Sequence, residues 1–164
     1  MKPKLVRTLA ALRRETAKWR NESLSYAVVP TMGAIHSGHM ELVAEGLKRA
    51  DRVITTIFVN PTQFAANEDL DKYPRDEDGD VIKLGKAGCQ LIYLPEPAEI
   101  YPPGFCTTVT LTGPAKAGLE DKFRPQFFLR GNHQSGMIGS GHRQFLAAQT
   151  ALLGQGRCPD DIFL

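Results

Sequence analysis

The 164-residue sequence is short of several features that would assign it at once to a specialised class of protein. It has three cysteines, Cys89, Cys106 and Cys158, with no C-x-x-C spacing between them. That excludes a disulfide framework and a cysteine-based zinc site, and it points to a reducing, cytoplasmic setting. No long apolar run is present, and the basic opening "MKPKLVRTLAALRRETAKW" is interrupted by charge throughout. Neither a membrane span nor a signal peptide is expected there. Charge of one sign is also lacking: 20 Lys and Arg against 18 Asp and Glu leave +2, which gives no electrostatic case for nucleic acid or a membrane surface. The chain is long enough for one domain with a real core.

What is present is an alternation of two periods. Leu5, Leu9, Leu12 and Trp19 fall roughly one or two helical turns apart, so the opening segment reads as an amphipathic helix. "SYAVVPT" is a short apolar strand expected to end at Pro30. From Gly38 the spacing turns helical, with Met40, Val43, Ala44 and Leu47 on one face. "RVITTIFVNP" is a second strand, stopped by Asn60-Pro61. "DEDGDVIKLGKAG" is a weaker helix with Gly88 as its cap, "CQLIYLP" a third strand and "CTTVTLTG" a further extended piece. Strands and helices joined by short connections imply a parallel sheet covered by helices. Ligands of such sheets sit beyond the carboxyl ends of the strands. "PTMGAIHSGH" and "NPTQF" both fall there and are expected to converge on one crevice.

The chemistry concentrates in "PTMGAIHSGHM", where His36 and His39 form an H-x-G-H pattern. Four letters alone allow a metal ligand pair, a phosphate contact or an ordinary surface loop. Zinc would need a third and usually a fourth ligand, and no H-E-x-x-H or cysteine pair supplies one. Phosphate accounts for more of the residues. A strand that turns into a helix points free N–H groups at an anion, Gly33 and Gly38 permit close approach, and two imidazoles can donate to phosphate oxygens.

Three stretches, "VVPTMGAIHSGHMELV", "IFVNPTQFAANEDLDKYPRD" and "GCQLIYLPEPAEIYPPGFCTTVTL", resemble in order and spacing the pantothenate synthetases (pantoate–β-alanine ligases). "GLEDKFRPQFF" continues the match to about residue 128. The resemblance implies a Rossmann-like α/β nucleotidyltransferase domain whose H-x-G-H is an ATP signature. It implies ATP, pantoate and β-alanine as substrates, Mg²⁺ accompanying ATP, and a pantoyl adenylate intermediate. Carried over by position, Met32, Gly33, Ala34, Ile35, His36, Ser37, Gly38 and His39 would line the ATP site, with His36 and His39 on the phosphates and His39 the proton donor. Gln63 and, more weakly, Asn60 would hold pantoate near the β-alanine position. Gln63 offers both a donor and an acceptor to a hydroxy acid, although a loop amide bonded to nearby backbone would look the same. Tyr73 is better explained by packing, Arg75 and Arg124 by solvated surface charge, and Asn67, Glu68 and Asp69 by a polar loop. A homodimer is the expectation the family carries.

From about Leu129 the character changes. Glutamate is absent to the end, six glycines occur, and neither period persists. The family pattern continues with a G-V-x-T-V-V helix, a G-x-K-D-x-Q-Q segment and a C-terminal domain with a lysine-bearing loop, none of which follows here. A flexible polar tail is one explanation. A frameshift is the other: one base later, "GNHQSG" permits V-T-T-K-V and "LLGQGRCPD" permits Y-L-G-K-D-D-V-Q-T, while Met137-Ile138 forces TGA in that frame. The expectation is therefore a nucleotide-binding domain over residues 1–128 and an aberrant, poorly packed tail over 129–164. The family's C-terminal domain is missing on this reading, which would impair catalysis or leave a non-catalytic remnant that at most binds nucleotide.

Overall fold

The computed structural model describes residues 2–61 and 73–105. Its elements run β1 (Lys4–Val6), α1 (Leu9–Asn21), β2 (Tyr26–Thr31), α2 (Ser37–Arg49), β3 (Arg52–Ile57), α3 (Glu77–Ala87), β4 (Leu91–Tyr93) and α4 (Pro97–Ile100). The four strands form one sheet in the order β1-β4-β3-β2, parallel at every pairing.

Side chains alternate across the sheet as the pleat requires. Val28, Ile54, Leu91 and Tyr93 point to one face, where Val6, Leu12 of α1 and Ile100 of α4 join them. Ala27, Val29, Val53, Ile57 and Ile92 point to the other, against Val43 of α2 and Leu84 of α3. The two-sided cover follows from topology. The β1-to-β2 crossover runs along the sheet in one direction, and the steps through β3 to β4 run back. With one handedness throughout, reversing direction moves the crossover helix to the opposite face. The chain leaving β3 thus enters the α3 face, while the chain leaving β4 enters the α4 face. Such a divergence opens a crevice at the carboxyl ends of the two strands.

Three expectations need correction. Lys4–Val6 is a strand, and the first helix begins only at Leu9, where the Thr8 hydroxyl accepts the Ala11 N–H. Pairing of Lys4, Leu5 and Val6 with Leu91, Ile92 and Tyr93 decides this, and Leu5 is left 37% exposed instead of lying on a helical stripe. The second strand does not stop at Pro30 but continues to Thr31. The carbonyls of Ser25 and Thr31 accept from Arg52 and Phe58 of the neighbouring strand, so Pro30, one step out of phase, turns its missing N–H away from β3. The third strand is confined to Leu91–Tyr93, and a short helix that no periodicity in the sequence announces follows it. Gly88 does cap α3, with its N–H on the carbonyls of Gly85 and Leu84. Cys89 is buried and free. Its sulfur lies 3.3 Å from the Thr55 hydroxyl, and burial raises its pKa, so the thiol is structural and inert. The expected extended piece over residues 106–113, the residue 129–164 tail and Cys106 and Cys158 lie outside the described residues.

Candidate functional site

The loop between β2 and α2 is built from its two ends inward. Thr31 closes the strand by donating its hydroxyl to the Thr56 carbonyl at 2.6 Å, and the same oxygen accepts the Gly33 N–H at 3.2 Å. The chain then turns through two left-handed residues, Gly33 (φ 86°) and Ala34 (φ 52°). Glycine takes that conformation freely, whereas at Ala34 it costs on the order of 1 kcal/mol. Two anchors offset the cost. The Ile35 side chain is buried in the core under α2, and its N–H donates to Asp80 Oδ1 at 2.8 Å.

His36 is the N-cap of α2 in extended conformation. Its Nδ1 accepts the Gly38 N–H at 3.2 Å, and its own N–H points to His39 Nδ1 at a longer 3.4 Å. The two rings lie with centroids 4.0 Å apart. This reciprocal cap has a chemical consequence. An imidazole nitrogen that accepts a hydrogen bond carries no proton, so in the neutral tautomer of each ring the proton sits on Nε2. Both histidines therefore offer an Nε2–H donor directed away from the backbone they cap. Gly38 makes the arrangement feasible: a Cβ there would stand 3.1 Å from His36 Cε1. Burial and the neighbouring His36 lower the pKa of His39, with Asp80 opposing them. No acid occupies the first turn of α2, so the positive end of its dipole is not neutralised from within the helix. Together these groups form a donor-rich surface suited to phosphate oxygens.

Beside this loop, at the divergence between β3 and β4, lies a crevice of about 300 Å³. Met32, Gly33, Phe58, Leu94 and Arg75 are among the residues that line it. Asn60 sits just past β3, fully buried, with its Oδ1 accepting the Tyr101 hydroxyl at 3.0 Å. Tyr101 packs in turn against Phe58 and Phe105. The structure thus gathers Met32 to His39 at the turn from β2 into the start of α2 and places Asn60 just past the end of the adjacent strand. Tyr73 is half-buried and Arg75 exposed. Gln63, Asn67, Glu68, Asp69 and Arg124 lie outside the described residues. Among the described residues no cluster of three His, Cys, Asp or Glu side chains could hold a metal ion.

Two residues that do not stand out in the sequence reach the site from other elements. Tyr101 orients the Asn60 amide. Asp80 comes from α3 and is 2% exposed beneath the loop. A signal for Asp80 did exist: it lies one helical turn before the buried Leu84, on the same face, within a run of acids that otherwise reads as solvated.

A family model described as pantoate-beta-alanine ligase matches residues 4–131. Pantothenate synthetase of Paramagnetospirillum magneticum is 52% identical over 124 residues, which cover 76% of this chain and 43% of that protein. The Bradyrhizobium pantothenate synthetase is 51% identical over 126 residues, covering 77% and 44%. Among solved structures, pantothenate synthetase from Thermus thermophilus aligns with a TM-score of 0.68 at 35% identity, over 84% of this chain and 47% of its own. Pantoate-beta-alanine ligase from Francisella tularensis, complexed with beta-gamma ATP and beta-alanine, aligns at 0.73 with 28% identity, over 84% and 52%. This chain spans somewhat under half the length of these curated relatives. The parallel sheet and the family match agree: the chain belongs to the pantoate–β-alanine ligase family.

Proposed function

We propose that this chain carries the nucleotide-binding half of an ATP-dependent ligase that condenses pantoate with β-alanine to pantothenate. The observation that carries the reading is the pair of outward Nε2–H donors held by the reciprocal cap of His36 and His39 at the start of α2. In the reaction, a pantoate carboxylate oxygen attacks the α-phosphorus of ATP and the bond to pyrophosphate breaks. The β-alanine amine then attacks the acyl carbon, loses a proton, and AMP leaves. The protein supplies no nucleophile. His36 and His39 donate to phosphate oxygens as charge develops on them, with His39 the proton donor, and the residues from Met32 to Gly38 shape the ATP site. Asn60 and Gln63 hold pantoate near the β-alanine position. Mg²⁺ arrives with ATP, on its phosphates. The chain is read as a cytoplasmic protein that can pair as a homodimer, and no helix among the described residues is long and apolar enough to cross a membrane.

Pantoate-stimulated ATP–pyrophosphate exchange tests this reading. Exchange that depends on pantoate and is lost in His39→Ala is the expected result. Exchange unchanged in that variant would remove the role given to His39.

A second reading is that residues 1–128 form a nucleotide-binding domain without turnover, followed by an aberrant tail over 129–164. The end of the family match at residue 131, with the chain continuing to Leu164 beyond it, is what favours it. Adenylate formation needs groups that surround the reacting atoms and exclude water, and a tail outside the family pattern would not supply them. ATP binding with no exchange under any condition would decide for this reading.

A further inference from the structure

We propose that Asp80 is a positioning residue: reaching from α3, its carboxylate sets the backbone of the Gly33–Ile35 turn from which the two histidines are presented. The ligand side of this inference rests on the nucleotide reading above, while its structural side stands on geometry alone.

Four acids cluster where α3 begins. Asp76 is the N-cap and accepts the Gly79 N–H at 3.0 Å. Glu77 pairs with Arg7. These two and Asp78 are exposed, so the needs of the helix terminus are met without Asp80. Asp80 alone turns inward, to 2% exposure, at the cost of dehydrating a carboxylate. Its partners explain the burial. Oδ1 takes the Ile35 N–H at 2.8 Å and lies 3.7 Å from Lys83 Nζ. The second oxygen faces Gly33, where an added Cβ would come within 3.2 Å of it and 3.3 Å of Ile57 Cγ2.

The carboxylate therefore grips both sides of the turn. On one side it fixes the N–H of the residue that precedes the N-cap histidine. On the other it fills the space that any side chain at position 33 would need. The segment between these contacts contains Ala34 in a left-handed conformation, which does not persist without outside support. If the Ile35 N–H were released, Ala34 could relax toward the ordinary right-handed region. The direction in which the chain enters α2, and with it the aim of His36 and His39, would change. The negative charge also acts directly on His39, against the lowering by burial and by His36.

The test uses the full chain with Asp80→Ala and Asp80→Asn, the latter retaining an acceptor oxygen. Two quantities are read: hydrogen exchange of the Ile35 amide, against the Ile54 amide in the central strand as reference, and affinity for magnesium ATP by equilibrium titration. Asp80→Ala should speed Ile35 exchange and weaken ATP binding by about tenfold each, the equivalent of one lost charge-assisted hydrogen bond, with Ile54 unchanged. Asp80→Asn should restore most of both. Wild-type protein that binds no ATP but shows the exchange pattern would sink the nucleotide reading and leave the positioning role standing. Three results would overturn the proposal: Ile35 exchange unaffected by Asp80→Ala, protection lost equally at Ile54, or no recovery in Asp80→Asn.

Discussion

The imidazoles of His36 and His39 face each other with ring centroids 4.0 Å apart, and each commits its Nδ1 to a backbone N–H of the same helix start. One site cannot comfortably hold two positive rings this close. Burial and His36 lower the pKa of His39, and Asp80 opposes them. We expect His39 to titrate below its ordinary 6.5 in a ¹H–¹⁵N spectrum recorded against pH. His36→Ala should move it up, and Asp80→Asn should move it further down. The sign for stability follows. Between the lowered folded pKa and about 6.5 the unfolded chain binds more protons at this residue, so stability rises with pH through that window. The contribution is fully present above about 6.5 and is lost as pH falls through the folded value. A His39 resonance titrating above 6.5 would contradict the geometry.

The two glycines of the loop should respond oppositely to alanine. Gly33→Ala meets both a left-handed φ of 86° and contacts of 3.2 and 3.3 Å to Asp80 and Ile57. It should destabilise by about 1–2 kcal/mol in urea unfolding. At Gly38, inside α2, alanine is the better helix former by about 1 kcal/mol. Its Cβ would press only on the exposed His36 ring, 3.1 Å away. Gly38→Ala should therefore hold or raise stability while displacing His36 and weakening ATP binding.

Why one part of this site can be read from sequence and another cannot is visible in the same residues. H-x-G-H lies on contiguous positions, and the β-branched runs before it and after Asp51 carry their own strand signal, so loop, helix and adjacent strand follow from local pattern. Leu5 misleads because its spacing to Leu9 and Leu12 imitates a helical face. Only pairing with Leu91–Tyr93, far along the chain, makes it a strand. Asp80 and Ile35 are 45 residues apart: the spacing to Leu84 can place Asp80 on the inner face of α3, but no local period reports which backbone N–H its carboxylate meets. Tyr101 and Asn60, 41 apart, are hidden in the same way. Gln63 sits outside the described residues, so its role rests on the family resemblance.

Two tyrosines separate bonded from unbonded burial. Tyr101 donates to the fully buried Asn60, so Tyr101→Phe removes one buried hydrogen bond and should cost about 1 kcal/mol. On the role proposed for Asn60 it should also weaken pantoate binding in the nucleotide-loaded protein, because the amide loses the hydroxyl that helps to orient it. Tyr93 is fully buried, its hydroxyl has no partner among the described residues, and burial, with the charge of Glu99, raises its pKa. Tyr93→Phe removes a desolvated polar group from the core and should leave stability unchanged or raise it by up to about 1 kcal/mol. Chemical denaturation of the two variants side by side would check both. Equal losses would mean that Tyr93 has a partner after all.

Residues 129–164 carry six glycines, no glutamate and no sustained period. On composition alone such a segment is expected to gain little by burial against the entropy of ordering it. The family match reaches residue 131, close to the boundary the sequence pattern sets at 128. If the chain leaves the family frame there, sequencing the gene should reveal, one base out of phase, codons for V-T-T-K-V opposite "GNHQSG" and for a G-K-D-D-V-Q-T segment opposite "LLGQGRCPD". A stop at Met137-Ile138 would interrupt that frame, because ATG followed by A contains TGA. Limited proteolysis gives the protein-level counterpart, with first cleavage expected between Arg130 and Arg143. Resistance there, together with cleavage inside residues 25–112 instead, would make the tail a structural element in its own right. A gene whose shifted frame encodes none of these motifs would point the same way, to a divergent family member whose closing segment is its own.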